Sequence, residues 1–165
     1  MPARFQRITP FLWFDTQAEE AVNFYTSVFP NSRVGTISRY GKAGAQASGR
    51  PEGSVMVVAF ELDGQAFTAL NGGPQFKFNE SVSLVVNCES QQEVDHYWIR
   101  LSEGGDPKAQ QCGWLKDKYG LSWQIAPTQV IKLLSESNPD TAQRAMAAIL
   151  QMKKIDIETV LKAAA

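Results

Sequence analysis

Apolar and polar positions along the chain switch between two periods, and each switch marks an element. Residues 8–14 (ITPFLWF) are almost wholly apolar and rich in aromatics, the pattern of a strand buried on both faces. Ala18, Ala21, Val22, Tyr25, Val28 and Phe29 then recur at helical spacing. Thr16 and Glu19 have the form of a capping box ahead of them, so a helix is predicted to begin there and to stop at Pro30. Residues 33–40 read as a strand. Residues 41–53 (GKAGAQASGRPEG) are small, polar and glycine-rich, and predict a mobile surface loop; their glycines follow neither a dinucleotide nor a phosphate-loop pattern. Residues 54–62 and 65–70 flank Asp63-Gly64, a two-residue hairpin signal.

The same order then recurs. Residues 82–88 form a second buried strand, Ser90 and Glu93 a second capping box, and Val94, Tyr97, Trp98 and Leu101 a second helical stripe that Gly104-Gly105 ends. An edge strand is expected over 108–111. Residues 112–127 (CGWLKDKYGLSWQIAP) follow as two short strands folded over Lys118-Tyr119-Gly120. Beyond them, helices are expected over 129–135, 140–152 and 157–163, the last capped by Asp156. At a shift of 72 residues Leu12 matches Leu84, Phe14 matches Val86, Val22 matches Val94, Asn23 matches Asp95 and Tyr25 matches Tyr97. Aligning the hairpins on their glycines sets Phe67 on Trp123 and Thr68 on Gln124. A strand–helix–three-strand unit used twice accounts for this. The predicted fold class is therefore α+β: two βαβββ units (8–74 and 81–127) forming curled mixed sheets around a groove, with C-terminal helices (128–165), in one domain spanning 1–165.

Composition narrows the classes of function. At 165 residues, 44% apolar and 20% charged, the chain suits one globular domain. A net charge of −1 gives no electrostatic case for nucleic acid or an anionic membrane as partner. The first residues lack the apolar core of a signal peptide and no run approaches membrane-spanning length, so a cytoplasmic protein is expected. Cys88 and Cys112 show no metal-ligand spacing and read as reduced thiols.

Several stretches resemble a known group. Ala21-Val22-Asn23-Phe24-Tyr25 and Asp117-Lys118-Tyr119-Gly120, set in a doubled βαβββ pattern, resemble the vicinal oxygen chelate superfamily, which includes glyoxalase I, bleomycin-resistance proteins and extradiol dioxygenases. Residues 14–25 (FDTQAEEAVNFY), 69–74 (ALNGGP), 111–124 (QCGWLKDKYGLSWQ) and 151–160 (QMKKIDIETV) are similar to its PhnB-like branch, whose members often carry the label 3-demethylubiquinone-9 3-methyltransferase-like. Metal enzymes of the superfamily carry His or Glu ligands on the first and last strands of each half. The resemblance puts those positions at Pro10, Thr68, Val82 and Gln124. None is a histidine or a carboxylate, and a divalent transition metal wants three or more such donors. The expectation is a groove with no metal and no other cofactor.

Leu12, Phe14, Thr68, Asn71, Trp114, Lys116, Ser122 and Gln124 are the candidate lining of that groove. Strand alternation sets Leu121, Trp123 and Ile125 on one face of the closing strand and Ser122 and Gln124 on the other. Gln124 is either a fixed hydrogen bond across the sheet or a donor–acceptor pair that orients a ligand. Lys116 and Asp117 read as a solvent-exposed pair beside the turn. His96, the only histidine, lies off its helical stripe and reads as solvated. Cys112 reads as a small packed residue whose activation needs a nearby cation such as Lys116.

Three functions fit this pattern. The first is a small-molecule-binding domain without metal, a homodimer that covers its sheet edges with a second chain. The second is an enzyme of the glyoxalase/dioxygenase superfamily acting on a small organic substrate, with Asp117 or Glu61 as acid or base. The third takes the methyltransferase label at face value. A familiar S-adenosylmethionine enzyme needs an alternating parallel α/β sheet with a glycine-rich turn after its first strand, and that turn is absent here.

Overall fold

The computed structural model describes residues 5–165, and these fall into two compact units that divide between Lys77 and Phe78. The predicted α+β class is the observed one, with two mixed sheets and C-terminal helices.

The first unit runs β1 (Phe11–Phe14), α1 (Ala18–Val28), β2 (Arg33–Arg39), α2 (Lys42–Ser48), β3 (Val55–Leu62) and β4 (Gln65–Asn71). Its sheet has the order β1-β4-β3-β2, with β1 parallel to β4 and the other neighbours antiparallel. Strand alternation sorts the side chains. Leu12, Phe14, Val58, Phe60, Leu62, Phe67 and Ala69 are buried on the face that α1 covers with Ala18, Ala21, Val22, Tyr25 and Val28. Phe11, Trp13, Val57, Ala59, Glu61, Ala66, Thr68 and Leu70 occupy the opposite face, where each is half-buried or exposed.

Two local expectations give way here. The Thr16 cap does not form: Gln17 is the N-cap and makes no side-chain cap bond. Asn71, at the end of β4, takes over, its Oδ1 accepting the Ala18 amide at 2.8 Å. A cap supplied by tertiary structure satisfies the same free donor as a local one. The expected loop over 41–53 contains α2, because Ala43, Ala45 and Ala47 favour a helix that Gly49 ends at φ 72°.

The second unit runs β5 (Ser83–Cys88), α3 (Gln91–Ser102), a 3₁₀ turn (Pro107–Ala109), β6 (Trp114–Lys116), β7 (Ser122–Pro127), α4 (Thr128–Glu136), α5 (Pro139–Ile149) and α6 (Ile157–Ala164). The sheet order is β5-β7-β6, with β5 parallel and β6 antiparallel to β7. Here the local cap forms: Ser90 Oγ accepts the Glu93 amide at 3.2 Å, and Glu93 accepts the Glu89 amide at 2.7 Å. The edge strand expected over 108–111 does not. Pro107 has no N–H to give a ladder, and Asp106 caps the 3₁₀ turn by accepting from Lys108 N at 2.9 Å.

Gln111 and Trp114 pair across a two-residue turn whose central residues, Cys112 and Gly113, lie at φ 53° and 84°. Those values are the signature of a type I′ hairpin turn. The amides of that turn donate to the carbonyls of Met152 and Lys153, each at 2.8 Å. The segment between α5 and α6 is held from its other side by Gln91, which donates to the Ile155 carbonyl at 3.1 Å and accepts from the Ile157 amide at 2.9 Å.

Candidate functional site

Each sheet has one face covered by helix and one face without, so the uncovered faces are where side chains can meet a ligand. The candidates divide accordingly. Leu12 and Phe14 are 8% and 3% exposed on the covered face of the first sheet. Asn71, 5% exposed, is also internal. Besides capping α1, it donates from Nδ2 to the Val55 carbonyl at 3.1 Å, and its own carbonyl accepts the Tyr40 hydroxyl at 2.6 Å. These three hold the first unit together.

Thr68 lies on the uncovered face, in register with Phe11 on one side and Ala59 on the other. It lines a shallow groove of about 530 Å³ with Thr9, Arg33, Ala59, Glu61 and Ala66. Arg33 and Glu61 pair at 2.7 Å, and the hydrogen bond it donates to that carboxylate holds the guanidinium pKa above its ordinary value. Glu61 is thereby occupied by a surface ion pair.

The other four candidates come together on the uncovered face of the second sheet. Trp114 is in register with Gln124, and Lys116 with Ser122. Across the strand, Ser83 is in register with Ser122 and Val85 with Gln124. Gln124 donates from Nε2 to Ser83 Oγ at 2.9 Å, so the cross-sheet bond forms. Ser122 is 1% exposed and its Oγ has no hydrogen-bond partner. Lys116 is paired with Glu80, a residue of the segment leading into β5. That contact draws the Glu80 carboxyl below its ordinary pKa.

Asp117 stands apart from the surface pair expected of it. It is 2% exposed and bonds inward, with Oδ1 accepting the Tyr119 and Leu121 amides at 2.8 and 3.1 Å and Oδ2 accepting Trp123 Nε1–H at 2.8 Å. A carboxylate that organises a turn in this way is poorly placed to carry protons. His96 is exposed on α3, edge-on to the Tyr97 ring at 4.9 Å.

Ser83 and Glu80 escaped the sequence reading. Alternation along 82–88 could have placed Ser83 on the uncovered face, opposite Leu84 and Val86. Nothing local marks Glu80, because its partner is 36 positions away (80 to 116).

The positions at which the superfamily holds metal do not fit one. The Pro10 carbonyl accepts the Thr68 amide at 3.0 Å, Val82 is 66% exposed, and Thr68 and Gln124 offer neutral oxygens. Among the described residues no three His, Cys, Asp or Glu side chains are grouped to hold a metal ion. The register also refines the repeat. Phe11 pairs with Thr68, while Ser83, its equivalent at the 72-residue shift, pairs with Ser122. The strand counterpart of Thr68 by pairing is thus Ser122, two residues from Gln124 and on the same face.

A family model described as 3-demethylubiquinone-9 3-methyltransferase matches residues 6–126, so α4 to α6 lie beyond it. The chain is similar to a solved putative 3-demethylubiquinone-9 3-methyltransferase, PhnB protein, from Bacillus cereus, at 39% identity over 74% of this chain and 99% of that one, with a TM-score of 0.63. A protein from Pseudomonas aeruginosa, at 20% identity over 74% and 98% with a TM-score of 0.57, shares the fold. No curated protein matches.

Proposed function

The chain belongs to the 3-demethylubiquinone-9 3-methyltransferase family, the PhnB-like branch of the vicinal oxygen chelate superfamily, and on that premise we propose that it binds a small organic molecule without a resident metal. The observation that carries this proposal is the convergence of Trp114, Lys116, Ser122 and Gln124 on one helix-free sheet face. An aromatic wall with a few directed polar groups is the usual make-up of a ligand site. In this proposal the chain acts as one domain.

A second copy of the chain is the proposed cover for the apolar residues left on these faces, among them Phe11 (58% exposed) and Val85 (50% exposed). The proposal assigns no nucleic-acid or membrane partner, on a net charge of −1; none of the described helices is long and apolar enough to cross a membrane. The cytoplasm is the proposed location. The methyltransferase activity in the family's description has no support from the fold, since each sheet holds a single parallel pair and β1 passes to α1 through Asp15-Thr16-Gln17, without glycine.

Thermal-shift measurement with quinones, aromatic antibiotics, thiol conjugates and S-adenosylmethionine tests the proposal. Stabilisation by a member of the panel is expected to be lost in Trp114→Ala and Gln124→Ala. Stabilisation that survives both substitutions overturns the site. Elemental analysis is expected to find no stoichiometric Zn, Ni, Fe or Mn; one equivalent per chain overturns the metal-free mode.

A further inference from the structure

We propose that the uncovered face of the second sheet is a carboxylate subsite, in which Lys116 and Ser122 receive the carboxylate of a flat organic acid and Glu80 holds the Lys116 ammonium when no ligand is bound. The inference rests on the binding function proposed above and names its ligand class.

Four features carry it. Ser122 Oγ is buried and unpartnered; a buried hydroxyl left without a partner is costly, and such groups are rare unless something completes them. Lys116 sits in register with it. The flanking hydrogen bonds run from Asp117 N to Leu121 O and from Ile125 N to Gly113 O. They make Lys116–Ser122 and Trp114–Gln124 the non-hydrogen-bonded pairs, the kind whose side chains lie closest.

Third, this face has donors to spare. The Gln124–Ser83 bond uses one of the three amide and hydroxyl hydrogens and leaves two, whichever way the amide is turned. With the ammonium and the Ser122 hydroxyl, the face offers hydrogens to a group that only accepts them. Fourth, the occupant of the ammonium is itself a carboxylate on an exposed side chain. The Glu80 side chain is 66% exposed while that of Lys116 is 24% exposed. A half-buried cation held by an exposed, exchangeable anion is a site where an external carboxylate can compete. The single charge of Lys116 suits a monoanion, and Trp114 beside Gln124 supplies the wall for a flat body.

Amide-resolved NMR titration of the full chain with benzoate, benzamide, acetate and inorganic phosphate at constant ionic strength tests this. Benzoate is expected to shift the amides of Lys116, Ser122 and Gln124. It should bind about tenfold (~1.4 kcal/mol) more tightly than benzamide, and more tightly than acetate or phosphate. Lys116→Met should weaken benzoate about tenfold. Glu80→Gln, on an exposed side chain that leaves folding untouched, should tighten benzoate by about threefold or more, by removing the internal competitor.

Benzamide binding as tightly as benzoate, or Glu80→Gln leaving benzoate unchanged, overturns the carboxylate subsite and leaves the binding face standing. Phosphate binding more tightly than benzoate overturns the assignment to a carboxylate. If no probe moves these amides, both the subsite and the face fall.

Discussion

Asp117 Oδ2 accepts the indole Nε1–H of Trp123 at 2.8 Å, between two side chains that are each 2% exposed. The same carboxylate receives the amides of Tyr119 and Leu121. One buried anion therefore sets the turn, fixes the register of β6 on β7, and anchors the tryptophan that fills the covered face. Trp114, Lys116, Ser122 and Gln124 take their places from that register.

Asp117→Ala should then be strongly destabilising. It strands two buried donors, the Leu121 amide and the Trp123 indole, and the half-buried Tyr119 amide; a stranded buried donor costs ~1–3 kcal/mol, so a loss of about 3 kcal/mol or more is expected in urea unfolding. Asp117→Asn keeps a carbonyl for the turn amides and should cost less. A loss under 1 kcal/mol for Asp117→Ala would contradict the role.

Asn71 offers a second test, because the α1 cap comes from a strand 53 residues away. Replacing a helix cap costs ~1 kcal/mol, and Asn71→Ala also frees the Val55 carbonyl. A loss of about 2 kcal/mol is expected, with faster hydrogen exchange at the first turn of α1. Thr16→Ala should leave both unchanged.

The Cys112-Gly113 turn predicts opposite outcomes for adjacent residues. A Cβ on Gly113 would sit 2.9 Å from Ile155 Cδ1 and 3.1 Å from Ile125 O, at φ 84°. Left-handed backbone alone costs an L-residue ~1–2 kcal/mol, so Gly113→Ala should cost about 2 kcal/mol or more and loosen the α5–α6 segment. Cys112→Asn places the residue that type I′ turns favour at φ 53° and should hold or raise the melting temperature.

Burial, and after it the Glu93 charge, pushes the Cys88 thiol up to about 12. The folded protein keeps this proton where the unfolded chain gives it up. The stabilisation is complete below the unfolded thiol value of about 8.5 and declines as pH rises from there towards 12. A disulfide exchange reagent at pH 8 should titrate one thiol per folded chain, the half-buried Cys112, and both thiols in denaturant. Two fast thiols in the folded protein would contradict the burial of Cys88.

At the acid end, hydrogen bonds from Lys154 and then Gln91 draw the Asp95 carboxyl down, and bonds from Thr159 do the same for Asp156. A depressed carboxylate stabilises the fold above its ordinary value near 4 and loses that contribution as pH falls through the folded value. Asp156 is exposed and Asp95 half-buried, so the effect is local. Hydrogen-exchange protection factors in α6 should fall at pH 3 before those of the sheets respond.

How far the pattern of residues carried the structure depended on the range of the interaction. The stripes of α1 and α3, the Asp63-Gly64 hairpin, and the caps at Ser90 and Asp156 are local in period or in reach, and each was legible; the aromatic run around β1 marked a strand, but one buried on a single face, with Phe11 58% exposed on the other. So was the separation of Ser122 and Gln124 from Trp123 and Ile125, because alternation along a strand is fixed by the backbone.

Tertiary structure decided what distant partners decide. Thr16 and Asn71 competed to cap α1, and the strand residue won because β4 brings its amide to the helix start. Asp117 had the sequence of a surface charge, but the indole of Trp123 drew it inside. Lys116 turned to Glu80 across 36 positions (80 to 116), away from its neighbour Asp117. The two-residue offset between the repeats at Thr68 and Gln124 appears only in the strand pairing. By itself the sequence determined which residues share a face; which of them meet across strands was decided by register, and register depends on both strands at once.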